Sequence, residues 1–102
     1  MRLTDFEIKV LETLKGVPKG RVTTYGALAL AAGRPGAARA VGNALNKNPD
    51  APRVPCHRVV YGDGCLGGYA GGRIKKIGLL KKEGIGVKNG RIAGFKKIFF
   101  GF

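Results

Sequence analysis

Two alanine-rich segments on either side of a tight Gly-Arg-Pro-Gly turn constrain the fold of this chain more than any other feature. The first segment, residues 22–32, starts with threonines of the kind that cap helices. The second, residues 37–46, places Val41 and Leu45 on one helical face, and its other positions are mostly small. Residues 33–36 predict a turn that interrupts helical structure between the two segments. Two short helices joined in this way predict a helix-turn-helix, whose second helix docks on DNA; a plain antiparallel helix pair is the alternative.

Helix signals also occur on both sides of this unit. Thr4 and Glu7 have the spacing of a capping box, which predicts a helix start, and Val10 and Leu14 follow at helical spacing. Residues 73–83 predict a fourth helix with lysines on its solvent face. The opposite, buried face of that helix is expected to contain Ile74, Ile77 and Leu80.

Strand signals are short, and the loops between elements are long. Residues 59–60 predict a short strand, and residues 87–92, with a central Asn-Gly, predict a hairpin. Residues 47–55 contain three prolines and are expected to form an extended loop. Residues 62–72 contain six glycines and predict a backbone shaped around a ligand. We therefore predict a single, mostly helical α+β domain over residues 1–102, winged-helix-like, with a helix-turn-helix and a short hairpin.

The charge of the chain indicates an anionic partner. Lys and Arg number 19 against 6 Asp and Glu, which gives a formal net charge of +13. Because solubility requires less charge than this, the composition favours a phosphate-bearing partner, DNA or RNA first, over a basic surface without site chemistry. The sequence shows neither an apolar segment of bilayer-spanning length nor the pattern of a signal peptide. We expect a soluble, cytoplasmic, nucleoid-associated monomer without a membrane partner.

Residues 55–58, Pro-Cys-His-Arg, join one of two cysteines to the single histidine of the chain. A thiol is a strong nucleophile only as thiolate, and a neighbouring imidazole or a positive field raises the thiolate fraction. The pattern therefore predicts a reactive Cys56 that is delivered to a polyanion. Cys56, His57 and Cys65 offer at most three metal ligands and lack zinc-finger spacing, so neither a metal nor another cofactor is expected.

Residues 55–59, Pro-Cys-His-Arg-Val, resemble the signature of the O6-alkylguanine-DNA alkyltransferases. Further blocks of that family stand in register with it: Arg-Ala-Val-Gly at residues 39–42, Asn-Pro at 48–49 and Leu-Leu-Lys-Lys-Glu-Gly at 79–84. Thr-Tyr-Gly at residues 24–26 is similar to the family's entry into its helix-turn-helix. The resemblance covers roughly residues 4–92, essentially the whole catalytic domain of that family, and several blocks in register make it specific.

This resemblance implies a DNA repair protein that transfers an alkyl group from O6 of guanine to its own cysteine, in one irreversible turnover and without a cofactor. Cys56 would be the nucleophile, and His57 would act through a water as general base, oriented by Glu83. Asn48 would brace the loop that carries the thiol. Tyr25 would donate to the N3 edge of the departing guanine.

The resemblance also implies binding to the minor groove of double-stranded DNA, with the alkylated guanine flipped into the protein. Arg39 would fill the space that the base vacates, and Tyr25 would crowd the adjacent phosphate. The other positions carried over from the family are the DNA contacts Thr24, Ala38, Gly42 and Asn43 and the pocket residues Val59, Gly67, Tyr69 and Ala70.

Three other functions remain open at this stage. Alkyltransferase-like proteins, which lack the cysteine, bind O6-alkylguanine and flag it for excision-repair proteins, and the short chain is similar to theirs. A base-flipping glycosylase would need a carboxylate, for which Asp50, Asp63 and Glu83 are available. A basic winged-helix protein without lesion specificity is the last. Because Cys56 is present, transfer is the predicted function. We expect no N-terminal companion domain, and Ala70 stands where many family members place a serine.

Overall fold

Helices form most of the regular structure in the computed structural model, which describes residues 2–102. This confirms the predicted α+β class. Within the described residues, none of the helices is long and apolar enough to cross a membrane. In chain order the elements are α1 (Asp5–Leu14), β1 (Thr23–Thr24), α2 (Tyr25–Ala31), α3 (Ala38–Asn46), a 3₁₀ helix (Cys56–Arg58), β2 (Val59–Val60), α4 (Arg73–Lys82), β3 (Val87–Lys88), β4 (Arg91–Ile92) and α5 (Phe95–Ile98).

The predicted capping box at the start of α1 is confirmed. Thr4 Oγ1 accepts a hydrogen bond from the Glu7 backbone N–H at 3.1 Å, and Glu7 Oε1 accepts from the Thr4 N–H at 2.8 Å. Such a cap stabilises a helix by about 1 kcal/mol. Glu7 Oε2 also lies 2.8 Å from Lys47 Nζ, just beyond α3. Val10 and Leu14 are buried, so both ends of α1 are fixed against the helix pair.

The two helices predicted for the helix-turn-helix are present as α2 and α3, but the first begins later than expected. Residues 22–24 opened the predicted helical segment and are extended instead. The predicted threonine cap is confirmed, because Thr24 has β-region dihedral angles and its hydroxyl accepts from the Ala27 N–H at 3.0 Å. The residues before it pair with a strand from elsewhere in the chain. Leu28 of α2 and Val41 of α3 are both buried in one apolar cluster.

A short parallel sheet joins the helix pair to the thiol-bearing segment. Thr23 pairs with Val59 and Thr24 with Val60, which confirms the strand predicted at residues 59–60. Successive side chains of a strand point to opposite faces. Accordingly, Val59 packs into the cluster built from α1, α2 and α3, whereas Val60 packs into a second cluster with α4 and β4. The sheet therefore separates two small cores.

The predicted Asn-Gly hairpin is confirmed as β3 and β4, which pair antiparallel. Asn89 and Gly90 have φ values of +53° and +75°, and a two-residue turn of type I′ requires positive φ at both positions. After the hairpin the chain returns to the sheet. The Val22 N–H donates to Ile98 O at 3.0 Å, and the Phe100 N–H donates to Val22 O at 2.7 Å. These bonds fix the C-terminal segment beside β1.

The predicted buried face of α4 is wrong in two positions. Ile74 is 88% exposed, whereas Lys76, which was assigned to solvent, is buried. The buried face of α4 instead contains Lys76 and Leu80, which are four residues apart, and Ile77 is partly buried beside them. An ammonium group can occupy such a position only where acceptors surround it, and neighbouring backbone carbonyls supply them.

The proline-containing loop at residues 47–55 was expected to be extended, and it is turned instead. The Val54 N–H donates to Asp50 O at 2.8 Å, which closes a turn inside the loop. The glycine-rich segment at residues 62–72 is irregular, as predicted, and its β-type pairing within residues 2–102 is limited to an isolated bridge between Cys65 and Arg91.

Candidate active site

A cleft of about 470 Å³ lies between α3, the start of α2 and the glycine-rich segment. Most of the site residues predicted from the sequence meet there, and the Cys56 thiol forms part of its wall although the residue is only 4% exposed. The cleft is lined by Tyr25, Ala38, Arg39, Gly42, Asn43, Leu45, Asn46, Cys56, Tyr61, Gly68, Tyr69 and Ala70.

The backbone around Cys56 is held from the preceding loop. Cys56 begins the 3₁₀ helix, and its N–H donates to Val54 O at 2.9 Å. The same carbonyl accepts from Asn48 Nδ2 at 2.8 Å, while Asn48 Oδ1 accepts from the Asp50 N–H at 3.0 Å. Asn48 therefore crosslinks the turned loop directly ahead of the thiol.

His57, the residue after Cys56, forms a hydrogen-bonded pair with Glu83. His57 Nε2 lies 3.0 Å from Glu83 Oε2. Because an ionised carboxylate only accepts hydrogen bonds, Nε2 carries the proton, and in a neutral ring Nδ1 is then the basic atom. Nδ1 is buried and has no hydrogen-bond partner among residues 2–102. His57 and Glu83 do not line the cleft themselves.

The charge states of this pair follow from its surroundings. Burial lowers the pKa of His57, against the opposing effect of Glu83, and the cations of Arg58 and Lys76 lower it further. Burial alone would raise the pKa of Glu83, but hydrogen bonds from Arg58 and His57 hold it below its usual value. At neutral pH the site therefore holds a neutral imidazole against an ionised carboxylate.

Arg58 anchors the carboxylate. Its Nε donates to Glu83 Oε1 at 2.9 Å, and its Nη2 contacts Oε2 of the same group. The third contact of the guanidinium is Nη1 to Val17 O at 2.8 Å. A bidentate arginine pair of this kind fixes both position and charge. Glu83, which caps the C-terminal end of α4, is thus tied to the 3₁₀ helix that carries Cys56.

Lys76 is a site residue that the sequence interpretation missed. Its Nζ donates to three backbone carbonyls, those of Val59 at 2.7 Å, Leu66 at 2.6 Å and Gly68 at 2.9 Å. These bonds connect β2 to the glycine-rich segment, and Gly68 lines the cleft. The lysine therefore supports the cleft wall from behind.

The environment of Lys76 is unusual for a cation. Burial lowers the pKa of Lys76 to about 8, and the neighbouring Cys56 opposes that shift. The signal in the sequence was the spacing of four residues to Leu80, a buried position. The prediction nevertheless placed Lys76 on the solvent face, because lysines are rarely buried.

Tyrosines form much of the cleft wall. Burial raises the pKa of Tyr25, and Tyr61 and Cys56 add to the effect. Burial and the adjacent Cys56 also raise the pKa of Tyr69. Both phenols are therefore protonated at neutral pH and able to donate hydrogen bonds. Tyr61, which was absent from the predicted site, lies beside Tyr25 with ring centroids 5.5 Å apart.

One face of α3 carries four of the six predicted DNA contacts. Ala38, Arg39, Gly42 and Asn43 all line the cleft, at the three- and four-residue spacing that places side chains on one helical face. Arg39 is exposed. A Cβ atom built on Gly42 would meet no atom within 4 Å, so this position is open toward the cleft.

Three of the predicted DNA-contact and pocket residues do not line the cleft. Thr24, expected at the DNA, is buried and uses its hydroxyl to cap α2. Val59, expected in the pocket, is buried in the core, and its carbonyl accepts from Lys76. Gly67 lies behind the wall at φ +73°, where a Cβ atom would come within 3.3 Å of Tyr25 Oη. These positions support the cleft rather than form its surface.

Comparison with known proteins identifies the family. Residues 5–85 match the family model described as the 6-O-methylguanine DNA methyltransferase DNA-binding domain. A methylated-DNA–protein-cysteine methyltransferase of Salmonella typhimurium is 52% identical over 81 residues, which is 79% of this chain and 47% of that protein. The chain thus spans about half the length of the curated relative.

Solved structures agree with this assignment. A crystal structure of Mycobacterium tuberculosis OGT in complex with DNA superposes with a TM-score of 0.78 at 49% identity, covering 80% of this chain and 51% of that one. S. pombe Atl1 in complex with damaged DNA containing O6-carboxymethylguanine has a TM-score of 0.84 at 29% identity, with 98% of each chain covered. The chain belongs to the 6-O-methylguanine DNA methyltransferase family, of which it carries the DNA-binding domain.

Proposed function

We propose that this chain repairs DNA by transferring an alkyl group from O6 of guanine to Cys56, once per molecule. The observation that carries the proposal is that Cys56 lines a cleft while the next residue of the chain, His57, is buried and paired with Glu83. The resulting thioether would have no route back to a thiol, so the protein would be spent after one reaction.

The reaction requires that the thiol lose a proton and the guanine gain one. His57 Nδ1 takes the thiol proton through a water, and Glu83 stabilises the imidazolium that forms. The sulfur then bonds to the alkyl carbon as the bond between that carbon and O6 breaks. The guanine leaves as an anion and takes a proton at its N3 edge from the Tyr25 hydroxyl, and the proton held by His57 returns through water to the Tyr25 phenolate, so that both side chains regain their starting states. The thioether and a neutral guanine are the products.

The alkylated base must leave the duplex to reach the thiol. In this proposal α3 enters the minor groove of double-stranded DNA, and its small residues Ala38 and Gly42 allow close approach. Arg39, exposed at the edge of the cleft, fills the space of the extruded base. A net charge of +13 attracts the phosphate backbone of DNA whatever its base sequence, as a protein that searches a whole genome for damage requires. In this proposal the protein is cytoplasmic and associates with the nucleoid.

A second candidate function is a lesion sensor that binds O6-alkylguanine and recruits excision-repair proteins without transferring the group. The observation that favours it is the likeness to Atl1, which extends over 98% of each chain. Both functions use the same cleft, and they differ in whether the sulfur of Cys56 acquires the alkyl group.

Intact-mass spectrometry of the protein after incubation with duplex DNA containing O6-methylguanine tests the proposal. We expect each chain to gain the mass of one CH₂ group. The Cys56→Ser variant should bind the lesion but gain no mass, and the matched control Cys65→Ser should react like the parent. Tight binding without a mass increase would support the sensor, and release of free base would support a glycosylase.

A further inference from the structure

Tyr61 is a large aromatic side chain that the proposed mechanism does not use. It is 53% exposed, yet it lies in the wall of the cleft that contains Cys56. A tyrosine that serves only to pack the core would be buried. A tyrosine with no role beyond the surface would not line the cleft that contains Cys56. The position of Tyr61 therefore indicates a function in the cleft that contains Cys56.

The sheet register explains why Tyr61 lies beside Tyr25. Thr23 pairs with Val59 and Thr24 with Val60, so the residues that directly follow the two paired strands, Tyr25 and Tyr61, lie side by side. Their ring centroids are 5.5 Å apart, with the planes tilted by 41°. This distance is within the range of favourable aromatic pairs.

The backbone beneath Tyr61 is fixed. The Tyr61 N–H donates to Cys65 O at 2.9 Å, and Tyr61 O accepts from the Gly64 N–H at 2.9 Å. The turn between them is held in addition by Arg91 of the hairpin, whose Nη2 donates to Asp63 O at 3.0 Å. An exposed ring on a rigid base can constrain the neighbour on which it packs.

We infer that Tyr61 is a positioning residue for Tyr25 and so controls the extrusion of the target nucleotide from a duplex. The inference rests on the proposed function, in which Tyr25 crowds the phosphate beside the flipped base. Without the second ring, the exposed side of Tyr25 has less to pack against, and the ring is free to turn away from the DNA. Loss of the Tyr61 ring should therefore slow transfer only from substrates whose target base must leave a duplex.

Single-turnover transfer kinetics with two substrates test this inference. One is duplex DNA containing O6-methylguanine, and the other is the free base O6-benzylguanine, which needs no extrusion. We expect Tyr61→Ala to slow transfer from the duplex by about fivefold, the range of an aromatic pair, and to leave the free-base rate within about twofold. Tyr61→Phe, which keeps the ring, should restore the parent rate on the duplex. Phe102→Ala, at another exposed aromatic, is the matched control.

Several results would overturn the inference. An unchanged duplex rate for Tyr61→Ala would show that Tyr25 needs no neighbour. Equal losses on both substrates would place the effect of Tyr61 on the thiol pocket. A Tyr61→Phe variant as slow as Tyr61→Ala would assign the effect to the hydroxyl group rather than to ring packing.

Failure of the proposed function itself is distinguishable, because extrusion can be followed without transfer. The fluorescence of 2-aminopurine placed beside the lesion in the duplex increases when the neighbouring base leaves the stack. If the parent gives this increase without transferring methyl groups, the proposed function fails. The inference then stands if Tyr61→Ala weakens the increase and Tyr61→Phe restores it, and it fails if all three proteins give the same signal.

Discussion

His57 Nε2 lies 3.0 Å from Oε2 of Glu83, and this contact determines which nitrogen of the imidazole is basic. Because the carboxylate accepts the Nε2 proton, the lone pair is on Nδ1, which is buried. A bidentate pair with Arg58 holds the carboxylate in place. The proton acceptor of the proposed reaction is therefore set by contacts that lie outside the cleft.

The pH dependence of transfer follows from the lowered pKa of His57. Burial keeps the imidazole neutral, and hence able to accept a proton, to a pH below its usual value of 6.5. The transfer rate should therefore stay level from neutral pH down past pH 6.5, and fall only as the pH drops through the lowered pKa. Single-turnover rates from pH 5 to 8 measure this. A rate that halves at or above pH 6.5 would contradict a buried, neutral base.

Replacement of Glu83 by Gln should slow transfer by about a hundredfold, because the imidazolium that forms loses its counter-charge. It should also shift the acidic limb of the pH profile to lower pH, since Glu83 raises the pKa of His57. A purely structural role would not produce that shift. Glu12→Gln, at an exposed carboxylate on α1, is the control and should leave both rate and profile unchanged.

Lys76 should make stability depend on pH in the alkaline range. The pKa of Lys76 is about 8 in the folded protein against 10.5 in the reference state, so between these values the unfolded chain binds more protons. The free energy of unfolding should therefore rise from pH 8 to 10, by roughly 2 kcal/mol. Urea denaturation of the parent and of Lys76→Met measures the difference. The prediction fails if the two proteins show the same pH dependence.

The same variant should disturb the cleft at neutral pH. Methionine cannot donate to the carbonyls of Val59, Leu66 and Gly68, and the buried acceptors of Val59 and Leu66, left unpaired, cost about 1–3 kcal/mol each. We expect a lower melting temperature and, at temperatures where the variant is folded, slower transfer. A stable variant with the parent's transfer rate would show that the wall does not depend on Lys76.

Replacement of Arg39 by Ala should separate extrusion from chemistry. The side chain is exposed, so the free energy of unfolding should change by less than about 0.5 kcal/mol. Transfer from duplex DNA should slow by about tenfold, since unstacking a base costs a few kcal/mol, whereas transfer from the free base should not change. Equal losses on both substrates would argue against a role in flipping.

The open position at Gly42 tests whether α3 approaches DNA closely. No atom lies within 4 Å of a Cβ built there, so Gly42→Leu should fold and gain about 0.5–1 kcal/mol from helix propensity. Its affinity for duplex DNA should nevertheless fall by about tenfold, because the larger side chain occupies the approach path. Gly78→Leu, at an equally open position on α4, gains the same propensity and should bind like the parent. Equal affinities of the two variants would contradict the assigned docking face.

Local signals in the sequence were sufficient for some parts of the fold. The capping box at Thr4 and the Asn-Gly hairpin depend on interactions between residues a few positions apart, so a short stretch of sequence is enough to predict them. The helix pair was predicted from the same kind of signal. Its start was placed too early because the extended conformation of Thr24 depends on a strand 36 residues away, which no local pattern contains.

Tertiary contacts account for what the sequence did not predict at the site. Lys76 is buried because three carbonyls from two distant segments converge on it, and Ile74 is exposed because the buried phase of α4 follows Lys76 instead. The proximity of Tyr25 and Tyr61 likewise depends on the register of a parallel pair. Helical spacing alone cannot show where a helix finds acceptors or which strand a segment joins.

Whether the sulfur of Cys56 takes the alkyl group is determined by peptide mapping with an isotopically labelled methyl group. The protein is incubated with excess duplex DNA that carries a deuterated O6-methylguanine, then digested and analysed by tandem mass spectrometry. We expect one label per chain, on the peptide that contains Cys56, and unmodified guanine in the DNA. A label that stays in the DNA, leaves as free base or appears on Cys65 would contradict it.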